Sequence, residues 1–124
     1  MTQFECYVGL DVGKYVIAVC ADGIEPPFEV SNDEAGFECL IARLEQTGLI
    51  KAKALLVLEP TGGYETLLWI KLVESGYMVC RVDAKQVRHF AKVHGQLAKT
   101  DPLDARLLRE YARTFPERGQ QLAC

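Results

Sequence analysis

Four carboxylates occupy positions where they could do chemistry: Asp11, Glu59, Asp101 and Asp104. Asp11 closes the apolar segment Phe4–Leu10, and Glu59 closes the apolar run Ala54–Leu58 just before Pro60-Thr61-Gly62-Gly63. If a helical crossover returns the second segment parallel to the first, both acids emerge from the same edge of a sheet. Neighbouring strands lie about 4.8 Å apart, so two such side chains can reach one ion. Asp101 and Asp104 flank Pro102 at the expected start of a helix, a spacing that places both on one face of its first turn. Converging carboxylates repel unless a cation joins them, and an oxygen-only donor set favours Mg2+ or Mn2+ over zinc. Two such ions roughly 4 Å apart can activate a nucleophile and stabilise a leaving oxygen in phosphodiester chemistry.

Each acid also has a plainer explanation. Asp101 before Pro102 is an ordinary helix cap, Asp104 in a first turn suits the helix dipole, and Asp11 before Val12-Gly13 is a hairpin-turn residue. Glu59 is harder to explain by folding, because turn chemistry accounts for the glycines that follow but not for the glutamate. All four stand at element boundaries, and together they weigh more than singly.

The elements that would position them read as follows. Phe4–Leu10, Tyr15–Ala21 and a weaker Phe28–Val30 form an antiparallel meander. Asn32 or Asp33 caps a helix carrying Phe37, Leu40, Ile41 and Leu44, which stops at Gly48. Ala54–Leu58 reads as a central strand covered on both faces. A helix with Leu67, Leu68, Ile70, Leu72 and Val73 ends at Gly76, and Tyr77–Val82 is the last strand. Asp83 caps a helix through Val87 and Phe90. Pro102 starts the final helix, whose Leu103, Leu107, Leu108, Tyr111 and Phe115 make a core stripe. The expected class is α/β: a mixed five-stranded sheet, a three-strand meander plus parallel strands, with helices on both faces.

The chain has 124 residues, 49% hydrophobic and 25% charged, enough for one domain with its own core. That domain is expected over residues 1–115, with 116–124 a fraying tail. No run is long enough to span a bilayer and no signal peptide is evident, so a cytoplasmic protein is expected. The five cysteines show no Cys-x-x-Cys spacing, which favours small reduced core residues over a zinc site or disulfide framework. The net charge of −3 hides a segregation: residues 1–80 hold 5 Lys+Arg against 12 Asp+Glu, residues 81–113 hold 8 against 4. A basic segment beside an acidic cluster suits a phosphate-backbone ligand, whereas charge alone fits a solvated helical surface.

Three segments carry a resemblance: Val8-Gly9-Leu10-Asp11-Val12-Gly13-Lys14, Leu58-Glu59-Pro60-Thr61-Gly62-Gly63-Tyr64 and Lys99-Thr100-Asp101-Pro102-Leu103-Asp104-Ala105. In this order and spacing the chain resembles the DEDD transposases of the insertion-sequence-110 (Piv-like) family, over nearly its whole length. The resemblance implies an RNase H-like (RuvC-like) fold, with Mg2+ or Mn2+ held by Asp11, Glu59, Asp101 and Asp104. It implies DNA strand cleavage and exchange in transposition of an insertion sequence. It also implies Lys99 and Thr100 near the site, homo-oligomers, and DNA and a structured guide RNA as partners. Lys14, Arg88, Lys92, Lys99 and Thr100 are the candidate nucleic-acid contacts.

Full-length members add a C-terminal domain with a serine nucleophile, whereas the serines here are Ser31 and Ser75, in no resembling context. An isolated or truncated domain is therefore expected. A second reading follows: a non-catalytic module that grips DNA or guide RNA, or assembles with full-length copies. A third, a fragment of an actin-like phosphotransferase, rests on Asp11-Val12-Gly13 alone.

Overall fold

The computed structural model describes residues 4–93 and 104–115. Its strands are β1 (Cys6–Val12), β2 (Val16–Ala21), β3 (Phe28–Ser31), β4 (Ala54–Leu58) and β5 (Met78–Arg81). The helices are α1 (Glu34–Gln46), α2 (Thr66–Glu74), α3 (Ala84–Val93) and α4 (Ala105–Thr114), with a 3-10 turn at Lys51–Lys53 that the sequence did not signal. The strand order is β3-β2-β1-β4-β5. The β1–β2 and β2–β3 pairs are antiparallel, and β4 runs parallel to both β1 and β5. This is the meander-plus-parallel arrangement expected from the sequence, and the α/β architecture of an RNase H-like domain.

Alternation along the strands sorts their side chains into two cores. Val8, Leu10 and Val12 of β1 with Leu56 and Leu58 of β4 pack against Phe37, Leu40 and Leu44 of α1 and Leu68 and Leu72 of α2. Tyr7, Leu55, Val57, Cys80 and Val82 face the other way, onto Val87 and Phe90 of α3 and Leu107, Leu108 and Tyr111 of α4. All five residues of β4 are buried, as a strand covered on both faces requires. Among the described residues no helix is long and apolar enough to cross a membrane.

Cys6, Cys20 and Cys39 are free thiols, but only Cys20 of these is buried. Cys80 departs from the expectation of reduced cysteines, being disulfide-bonded.

Two boundaries move, and both bear on the acids. β1 runs on to Val12, so Asp11 lies within the strand, opposite Ala18 of β2, instead of in the turn. The final helix begins at Ala105, not at Pro102, and Asp104 is its cap rather than a first-turn residue. The cause is local. Asp104 has an extended backbone and its carboxylate accepts the Leu107 N–H at 2.8 Å, satisfying a donor that has no partner inside the helix. Pro102, Asp101, Lys99, Thr100 and the tail at 116–124 lie outside the described residues.

Candidate metal centre

The parallel register sets the first pair of acids. Gly9 of β1 stands beside Val57 of β4, and Leu10 beside Leu58. Asp11 and Glu59 are the next residues on each strand. Alternation turns both toward the side of the sheet that carries α3 and α4, the side of Val57 and Leu55. Both carboxylates are half-buried, and neither accepts a hydrogen bond among the described residues. Their ionisation reflects that setting. Burial pushes Asp11 above the usual carboxylate range, and the charge of Asp104 pushes it further. Burial likewise raises Glu59, the Asp11 charge adds to the rise, and the Arg88 guanidinium partly offsets it. Asp11 thus sits electrically between Glu59 and Asp104.

Helix α4 brings Asp104 to this edge, and a glycine lets it approach. A Cβ on Gly9 would stand 1.9 Å from the Ala105 carbonyl oxygen and 2.7 Å from the Arg109 nitrogen, far inside contact distance. The absence of a side chain at position 9 therefore seats the first turns of α4 directly on β1. Gly9 carries no chemistry and was visible only as part of the Val8–Lys14 motif.

Two further residues, neither of them read as part of the site from the sequence, hold the loop that leaves Glu59. Glu65 is 5% exposed. Its Oε1 accepts from the Thr61 N–H (3.1 Å), the Thr61 hydroxyl (3.1 Å) and the Gly63 N–H (3.2 Å). Its Oε2 lies 3.5 Å from Arg81 Nε, and that guanidinium stacks over Trp69. Burial opposes ionisation of Glu65, but the hydrogen bonds from Thr61 and Gly63 outweigh it and hold the carboxyl below its usual range. Asn32, read as one of two candidate caps, does not cap α1; Asp33 does, accepting from Gly36. Asn32 Nδ2 instead donates to the carbonyls of Gly13 (2.8 Å) and Tyr64 (3.1 Å), joining the turn after Asp11 to the loop after Glu59. The loop glycines, Gly62 and Gly63, have positive φ of 74° and 107°, which explains why those positions are glycine.

The basic segment divides on folding. Arg109 and Arg113, in the middle and the last turn of α4, pair with Asp22 and Glu110, and Arg81 pairs with Glu65. These three are structural. Lys85, Arg88 and Lys92 lie along one stripe of α3, with Arg88 half-buried beside Glu59 and Lys92 exposed. Lys14 is exposed in the β1–β2 turn at the acid edge. Lys99 and Thr100 fall outside the described residues, as does Asp101. Ser31 donates to the capping Asp33, and Ser75 back to the Lys71 carbonyl, so each hydroxyl serves a helix end.

Among the described residues no group of three or more His, Cys, Asp or Glu is drawn together closely enough to hold a metal ion. The donor set itself fits one: Asp11 and Glu59 adjacent in register, Asp104 coupled to Asp11, oxygen donors only, and mutual repulsion that a hard divalent cation would relieve.

Comparison with known proteins agrees with the motifs. The family model of DEDD transposases of the insertion-sequence-110 type, described as "Transposase", matches residues 8–123. The chain is also 34% identical over 112 residues to an "Insertion element IS116 uncharacterized 44.8 kDa protein" of Streptomyces clavuligerus. That alignment covers 86% of this chain and 27% of the relative, so the chain spans about a quarter of the relative's length.

Proposed function

The chain belongs to the DEDD transposase family of the insertion-sequence-110 type, and on that premise we propose that it is the metal-dependent, DNA-cleaving part of a transposase. Asp11, Glu59 and Asp104, joined by Asp101, hold Mg2+ or Mn2+ in this reading. The observation that carries it is the Asp11–Glu59 pair: two half-buried acids next to each other in register, without hydrogen-bond donors among the described residues, and each raised by burial and by a neighbouring carboxylate. Folding gains nothing from such a pair, whereas cation binding does.

A bound divalent ion would polarise the phosphodiester and lower the pKa of an attacking water. The chain's own groups have separate tasks. Asp11 and Glu59 supply the negative oxygens at the strand ends. Asp104 gives one oxygen to the Leu107 N–H, which fixes its other oxygen relative to Asp11. Arg88, Lys92 and Lys14 hold the phosphate backbone, a role that the family motif also gives to Lys99 and Thr100. Neither serine of the chain stands free for nucleophilic attack, so strand exchange would draw its serine from a further domain of a longer transposase. The same reading makes DNA the substrate, a guide RNA and further copies of the chain its partners, and the cytoplasm its location.

The test is calorimetric titration of Mn2+ into the chain. Saturable binding is expected, and Asp11→Asn or Glu59→Gln should weaken it by more than the roughly 10–100-fold typical of residues that only support a ligand. Affinity indifferent to both substitutions would remove the metal assignment. Salt-dependent binding of DNA or RNA with no nicking under any metal would favour the non-catalytic binding module instead.

A further inference from the structure

Two exposed tyrosines flank the acid edge, and the folded core uses neither. Tyr15 follows Asp11 through the β1–β2 turn and is 72% exposed; Tyr64 follows Glu59 through the next loop and is 47% exposed. A single exposed aromatic residue is ordinary. Here both are carried by segments that one residue ties together. Asn32 donates its side-chain amide to the Gly13 and Tyr64 carbonyls, and its backbone N–H to the Tyr15 carbonyl at 2.8 Å. The Gly13 N–H closes the turn on the Val16 carbonyl, and Glu65 fixes the other loop from within. The backbones bearing the two rings are therefore held before any ligand arrives. Lys14, exposed and without an ion pair among the described residues, sits 5.2 Å from the centre of the Tyr15 ring.

We infer that Tyr15 and Tyr64, with the Lys14 ammonium beside the first ring, form a platform on which unpaired bases of a single-stranded nucleic acid stack as the strand passes the Asp11–Glu59 edge. Aromatic faces beside a cation are the general chemistry of single-strand binding, since every base has a π-face and every linkage a phosphate. The placement also has a purpose. Carboxylate-bound metal chemistry acts on the sugar–phosphate backbone, and bases held to the side of the acids leave that backbone facing them. The inference rests on the proposed nucleic-acid function and adds to it where the strand lies.

The experiment is fluorescence anisotropy with a labelled thymidine oligonucleotide of twelve or so residues, its uridine equivalent and an abasic strand of equal length. The whole chain is used at low ionic strength, with and without magnesium. Tyr15→Ala and Tyr64→Ala should each weaken binding of the base-bearing strands at least about fivefold, the lower end of what loss of one stacked base gives. Tyr15→Phe and Tyr64→Phe should bind as the parent does, which separates stacking from loss of fold. On the abasic strand the alanine variants should match the parent. Comparison of thymidine and uridine strands tells whether DNA or RNA is the preferred occupant. Parent chain that binds no base-bearing strand, alanine variants within twofold of the parent, or equal losses on the abasic strand would each overturn the platform. Mn2+ titration of Tyr15→Ala reports separately on the carboxylates, and its affinity should be that of the parent.

Discussion

Glu59 and Glu65 stand at the two ends of one loop, yet their surroundings are opposite. Glu65 is the more deeply buried and is the better satisfied, with three hydrogen bonds and a guanidinium around it. Glu59 is only half-buried, faces the Asp11 charge and accepts no hydrogen bond among the described residues. Burial raises the cost of ionising both. Only at Glu65 do local donors reverse it, so the two carboxyls shift in opposite directions. A buried charge with its donors in place is part of the fold, whereas a charge lacking them is held ready for something else.

The comparison is most sharply tested by removing each charge in turn. Glu65→Gln keeps the shape but puts an amide where acceptor oxygens are needed. It should lower stability by about 1–3 kcal/mol, the usual penalty for stranding buried partners. In a domain of this size that is roughly 4 °C in melting temperature for each kcal/mol. Glu59→Gln should leave the metal-free domain as stable as before or raise it by up to about 1–2 kcal/mol, the usual gain when a functional site's repulsion is relieved. Thermal melts in chelator decide it. Equal losses in both variants would mean that Glu59 is as structural as Glu65.

The same contrast predicts a smaller, pH-dependent signature. Glu65 titrates below its ordinary value in the fold. Its contribution is therefore present above the unfolded pKa and is lost as pH falls through the folded one. Asp11 and Glu59 titrate above theirs. Their contribution is present in acid and is lost as pH rises through the raised values. The stability difference between parent and Glu65→Gln should thus be a deficit at neutral pH that closes on acidification. For Glu59→Gln the neutral difference should be zero or positive and should also close in acid. Denaturant melts between pH 3 and 7, on the metal-free protein, measure both. A Glu59→Gln deficit that widens toward neutral pH would contradict the sign.

Much of this site could be read from residue order alone. Glu59 stood out because it ends an apolar run for no folding reason, and the parallel return of β4 beside β1 follows from the crossover that joins them. Glu65 escaped notice because its partners are donors of a folded loop and an arginine from another strand, which the sequence does not bring together. A carboxylate shortly after a Thr-Gly-Gly turn, just before a helix, was the available signal. The choice between Asn32 and Asp33 stayed open for a related reason. Both are good caps by type, and only the position of the Gly13 and Tyr64 carbonyls decides which one is free to tie the turns. Capping also misplaced the last helix, since Asp101 and Asp104 are equivalent until one of them meets the Leu107 amide. Gly9 carries no local signal at all. Its meaning is the approach of Ala105, a contact between residues nearly a hundred positions apart.

Arg88 gives the smallest effect and the finest probe of the contrast. Among the described residues it is the one cation that lowers Glu59, and it ranks behind burial and the Asp11 charge. Arg88→Ala should therefore move the Glu59 titration upward by less than the roughly one unit that a close opposite charge usually gives. Glu65, held by its own donors and by Arg81, should not move. Carboxyl-carbon NMR titration of the metal-free chain follows both groups in one sample. A fall in the Glu59 midpoint, or an equal shift at Glu65, would mean that Arg88 acts through the fold as a whole. A rise confined to Glu59 would show Arg88 as a local counter-charge, partly neutralising in the empty site the repulsion that a divalent ion is proposed to relieve in full.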